Sequence, residues 1–180
     1  MKPLFLLLFL FYFTVQSYCQ ATFNLRERYD FLACTLTGVI PTDTCYYAIG
    51  IIADTIFPYR TSSIFLKLDL EGQPYWIKTV KDTEKTYETW YNGFSRLSDG
   101  TFIAAAHTVD STLKTILIKF DSHGDTLFTK EFLNPYYPSS IFIKPWGGLG
   151  VLPDGGFALL NKITDFNMDT DAYIVRTDSL

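Results

Sequence analysis

The stretch Ile64-Phe65-Leu66-Lys67-Leu68-Asp69-Leu70-Glu71-Gly72, with Trp76-Ile77-Lys78 shortly after it, occurs again in this chain. Its second copy is Ile116-Leu117-Ile118-Lys119-Phe120-Asp121-Ser122-His123-Gly124, followed by Phe128-Thr129-Lys130. A third, Tyr173-Ile174-Val175-Arg176-Thr177-Asp178, runs into Ser179-Leu180. Asp69, Asp121 and Asp178 stand 52 and 57 residues apart. An upstream landmark keeps the same period: Thr42-Asp43-Thr44, Ser98-Asp99-Gly100 and Pro153-Asp154-Gly155, with aspartates 56 and 55 residues apart. Two independent landmarks at one period identify an internal repeat.

Each unit reads as short strands joined by tight turns. In the quoted stretch Ile64, Leu66 and Leu68 alternate with Phe65, Lys67 and Asp69. Apolar residues on both faces are expected of a sheet packed between neighbouring sheets. Asp-x-x-Gly is type I turn chemistry, and Asp99-Gly100 and Asp154-Gly155 are hairpin signals. A further strand precedes each Asp-Gly turn, as in Tyr91 to Leu97. Four strands per unit in hairpin succession make a propeller blade. The predicted fold is therefore all-β: a partial β-propeller of about three four-stranded antiparallel blades, approximately residues 31–81, 90–133 and 142–180, the last incomplete.

Composition agrees. Thr, Ile, Val and the aromatics make 72 of the 180 residues, while Ala and Glu together make 14. That is a strand-former's usage and it excludes a helical bundle. With 17% aromatic and 19% charged residues the chain is not disordered. A net charge of −4 gives no basic footprint for nucleic acid.

Met1-Lys2, the apolar run Leu4 to Phe13 and the polar stretch Thr14 to Gln20 form the three regions of a secretory signal. The run is too short to span a bilayer, which needs about 20 residues. Residues 1–19 are read as a cleaved signal peptide and 20–180 as the propeller region, with no membrane span after cleavage and a secreted or cell-surface destination. Acylation of Cys19 would require a small residue where bulky Tyr18 stands. Export permits a disulfide between Cys34 and Cys45, but strand-borne cysteines also serve as buried free thiols, and the sequence leaves both open. Two cysteines and two histidines at these spacings make no zinc set.

The pattern hydrophobic-x-Lys-hydrophobic-Asp-x-x-Gly-x-x-x-Trp-x-Lys of Phe65 to Lys78 follows the Asp-Gly landmark, which reads Asp154-Gly155-Gly156-Phe157 in the third unit. Over residues 31–180 it resembles the degenerate propeller repeats of bacterial surface proteins exported by the type IX secretion system. The resemblance implies part of a secreted propeller; the C-terminal sorting domain of such proteins is not matched here. Closed propellers have four or more blades, so the expectation is a fragment of a longer protein.

Asp165, Asn167, Asp169 and Asp171 place oxygen side chains at alternate positions, like the first half of a calcium loop. Thr170 stands where the turn glycine belongs, and Arg176 where the bidentate glutamate belongs. The residues fit a solvated acidic loop better than calcium, and no metal site is assigned. His107 lies in the apolar run Ile103 to Val109 and His123 inside an Asp-x-x-Gly turn. Neither has a sequence-evident partner for acid–base chemistry. Trp76 and Phe128 are repeat-equivalent, which marks packing. Tyr136 and Tyr137, in the inter-blade stretch Asn134-Pro135-Tyr136-Tyr137-Pro138, are the aromatics freer to contact a ligand. Lys67, Lys119 and Arg176 recur two residues before the turn aspartate, as a repeated ion pair would. No nucleotide-binding or hydrolase motif is present.

The expected function is a non-catalytic secreted or cell-surface module, a binding or adhesion scaffold without a cofactor, whose partner is an extracellular protein or glycan. The alternative is part of a propeller enzyme, a polysaccharide lyase, hydrolase or quinoprotein-like protein, with its site in other blades.

Overall fold

The structure, a computed structural model, describes residues 33–55, 57, 60–109, 113–133, 140–165 and 169–179. The signal region lies outside them. Among the described residues eleven strands run in chain order: β1 (Ala33–Pro41), β2 (Tyr46–Ala53), β3 (Thr61–Leu68), β4 (Pro74–Val80), β5 (Thr86–Arg96), β6 (Phe102–Val109), β7 (Leu113–Phe120), β8 (Thr126–Leu133), β9 (Ser140–Val151), β10 (Phe157–Asp165) and β11 (Thr170–Arg176). They form three antiparallel sheets, β1-β2-β3-β4, β5-β6-β7-β8 and β9-β10-β11. This is a partial β-propeller of three blades, the last with three strands.

The repeat sets the turns. Gly72 N donates to Asp69 O and Gly124 N to Asp121 O, both at 3.2 Å, and both glycines have φ near +85° (88° and 85°). Only glycine takes that left-handed backbone freely. In each turn the leading aspartate caps a backbone N–H four residues on, Gln73 N at 2.7 Å and Asp125 N at 2.9 Å. The Asp-Gly turns match one another too: Gly100 N bonds Leu97 O and Gly155 N bonds Leu152 O, each at 3.0 Å.

Alternation on two apolar faces builds the inter-blade packing. From the second blade, Phe102, Ala104, Ala106, Ile116 and Ile118 pack with Tyr47, Ile49 and Phe65 of the first. The opposite faces of the same strands, Ile103, Ala105 and Leu117, pack with Phe157 and Leu159 of the third. Trp76 closes the first interface, its ring 5.1 Å from Phe65, and its repeat partner Phe128 packs on the second. The inner strands β1, β5 and β9 adjoin in turn, and Thr37 and Thr89 share a buried hydroxyl hydrogen bond of 2.8 Å across the first pair.

The second blade starts at Thr86 rather than at residue 90. The period-2 pattern of β5 is interrupted by a bulge between Thr89 and Phe94, where Asn92 takes φ +57°. Asn tolerates this conformation better than most residues. An inserted bulge re-aims neighbouring side chains. Here Trp90 is fully buried against the third blade while Tyr91 remains 48% exposed.

Cys34 and Cys45 are both free thiols, Cys34 exposed and Cys45 buried. Cys34 pairs with Ile52 at one end of the β1–β2 hairpin, whereas Cys45 precedes Tyr46, which pairs with Pro41 at the other end. At about 3.3 Å per strand residue they are far beyond the ~7 Å Cα limit of a disulfide.

Candidate functional site

The strand directions give the structure two unlike ends. One carries the tight repeat turns, and there the two sequence landmarks meet. Lys119 Nζ lies 3.3 Å from Asp99 Oδ2, and Arg176 Nη2 lies 2.8 Å from Asp154 Oδ2. The Thr101 hydroxyl, with its backbone N–H and Lys119, lowers the Asp99 carboxyl to about 2. In the first blade Lys67 instead lies 5.5 Å above the rings of Tyr47 and Tyr75. A recess of about 210 Å³ beside Asp99, Lys119 and Phe157 opens at this end. Its charged pair is matched in the next blade, so the pair belongs to the repeated framework.

The other end carries the β2–β3 connection, the inter-blade connection from β4 to β5, and the departures of β6, β8 and β10. A cleft of about 190 Å³ opens there between the first two blades, lined by Cys34, Thr35, Ile51, Thr61, Glu88 and Tyr91 among others. Glu88 is its polar centre. Thr61 Oγ1 donates to Glu88 Oε1 at 2.9 Å, and His107 Nε2 lies 3.0 Å from Glu88 Oε2. The hydrogen bond from His107 is the largest influence lowering the Glu88 pKa, opposed by partial burial and aided by the His107 charge when present and by Thr61. Glu131 at the same end is held by Lys85 at 2.6 Å and Lys114 at 3.0 Å.

The Glu88–His107 pair breaks the repeat. His107 pairs in register with Thr115, Ile51 with Ser63, and Lys162 with Ala172. The position of His107 is thus held by Ile51 in the first blade and Lys162 in the third. The fold does not require a histidine there. That breach is the sequence signal that would have found the site, since the carboxylate partner sits 19 residues upstream, beyond a bulge and a turn. His107 Nδ1 is buried and has no hydrogen-bond partner.

Of the residues singled out from sequence, Tyr136, Tyr137 and Asn167 lie outside the described residues. Asp165 ends β10, while Asp169 and Asp171 are exposed beside and within β11. Among the described residues, no three His, Cys, Asp or Glu side chains group closely enough to hold a metal ion. His123 is exposed in its turn, 3.8 Å from Asp121. Trp76 stays with the packing cluster.

No family model matches the chain, and no curated protein does. Among solved structures it is similar to a subtype N11 neuraminidase-like protein of A/flat-faced bat/Peru/033/2010 (H18N11), at 15% identity and a TM-score of 0.44. The match covers 81% of this chain and 48% of the other, so the chain spans about half the length of that protein.

Proposed function

We propose that this chain is a non-catalytic binding module of the cell exterior, with the blades as scaffold and the loop-bearing end as the contact face. The signal-like segment 1–19 supports the export, and the likeness of the repeat to type IX-exported surface proteins supports the compartment. The observation that carries the reading is the asymmetry of the two ends. One is built from recurring turns and recurring ion pairs. The other holds a cleft whose central pair, Glu88 and His107, occurs in one blade alone. Scaffolds repeat what packing requires and vary where they meet a partner.

The test uses the secreted full chain, passed over immobilised extracellular polysaccharides and surface proteins, with retention and product formation read from the same samples. Retention without turnover supports the module. Turnover would move the chain to the enzyme class, with the Glu88–His107 pair as the first place to look for acid–base chemistry.

A further inference from the structure

Glu88 is a half-buried carboxylate beside mostly apolar walls. Ala33, Ile51, Ile52 and Ala53 supply those walls, and the half-exposed Tyr91 supplies one side. Its hydrogen-bond partners are a threonine hydroxyl and an imidazole, and a neutral imidazole donates without cancelling the charge. Three described lysines of this end face other carboxylates. Lys81 lies 3.6 Å from Asp54, and Lys85 and Lys114 hold Glu131. With the His107 imidazole neutral, Glu88 presents a net negative charge to the cleft, in surroundings where attraction to a cation is stronger than in open water.

Resting on the binding-module reading, we propose that the cleft beside Glu88 and Tyr91 recognises an ammonium group on a short apolar stem. The carboxylate retains acceptor sites beyond the two in use. A tyrosine face adds cation–π attraction for an ammonium within about 6 Å, and the aliphatic walls suit the stem. At roughly 30 Å³ per water, 190 Å³ is the space of about six waters, enough for a butylammonium-sized group. A sugar ring would need polar partners on several sides, whereas this cleft concentrates its charge at one point. A lysine side chain of an extracellular protein and a free aliphatic amine share this chemistry.

The test is an NMR titration of the full chain with n-butylammonium, with 1-butanol as neutral control, following the Tyr91 ring resonances. A short lysine-containing peptide forms the second arm. We expect saturable shifts with the ammonium, none with butanol, and weakening as salt rises. Glu88→Gln should weaken binding at least about tenfold. Tyr91→Leu, at an exposed ring, keeps the fold testable and should weaken it several-fold. Tighter binding of the peptide than of the free amine points to a protein source, and equal binding points to the amine. Equal binding of butanol, or unaltered binding by folded Glu88→Gln, would overturn the inference. If the chain is retained on extracellular material and Glu88→Gln is retained equally, the inference fails and the module reading stands. If the ammonium binds but no extracellular material is retained, the module reading fails instead.

Discussion

Trp76 of the first blade packs so closely over Gly124 of the second that a Cβ on Gly124 would meet its ring at 2.6 Å. The contact joins two parts of the repeat, the aromatic after one turn and the glycine of the next blade's turn, and Lys78 adds an ion pair to Asp125 at 2.9 Å. Adjacent blades are thus clasped through the elements that make each of them.

Gly124→Ala and Gly100→Ala should therefore differ. Both positions have left-handed backbones, at φ +85° and +83°, so both changes incur a strain of about 1–2 kcal/mol. A Cβ at Gly100 meets nothing within 4 Å, whereas at Gly124 it meets Trp76. Urea denaturation should show Gly124→Ala to be the more destabilising by about 1 kcal/mol or more, and a Trp76→Ala background should remove much of that difference.

Trp76→Ala itself should destabilise by about 3 kcal/mol, the lower end for an aromatic truncation, because its ring is partly exposed yet contacts Phe65 and Tyr47. An unchanged melting temperature would contradict the inter-blade packing described above.

The Glu88 carboxyl has its pKa lowered in the folded chain, first through the His107 hydrogen bond. A carboxyl with a depressed folded pKa contributes stability above its unfolded pKa and loses that contribution as pH falls through the folded value. The stability difference between wild type and Glu88→Gln should accordingly be full at pH 6 and shrink below about pH 4.5, near the unfolded value. Melting temperatures of the two proteins from pH 3 to 6 check this. A difference that grows on acidification would contradict it.

The two described thiols should react at different stages. Cys34 is exposed at the cleft and Cys45 is buried. Alkylation followed by peptide mapping should label Cys34 in the native protein and Cys45 only in denaturant. Partial burial raises the Cys34 thiol pKa, so native labelling should still be quickening at a pH where an ordinary thiol is already thiolate. A recovered Cys34–Cys45 linked peptide would contradict the hairpin register.

The scaffold was legible in the sequence because it repeats. Asp69 to Gly72 and Asp121 to Gly124 fold into the same turn, and Asp99–Lys119 and Asp154–Arg176, 20 and 22 residues apart, form equivalent ion pairs. The cleft was not legible. Glu88 and His107 meet across a strand pair interrupted by the Asn92 bulge, and Thr61 reaches Glu88 from another sheet, 27 residues away. Tyr91 faces out where its neighbour Trp90 is buried. Alternation alone does not place residues around a bulge. His107 in the position of Ile51 and Lys162 was the available clue, and it becomes readable once the register is known.

The central claim is that the loop-bearing end, at Glu88, is the contact face and that the turn end is framework. The most direct measurement compares retention of purified Glu88→Gln and Lys119→Ala on whichever extracellular material retains the wild type, with both variants confirmed as folded by their melting curves. Glu88→Gln should be lost from the material and Lys119→Ala retained like the wild type. Retention of Glu88→Gln together with loss of Lys119→Ala would place the contact at the opposite end and contradict it.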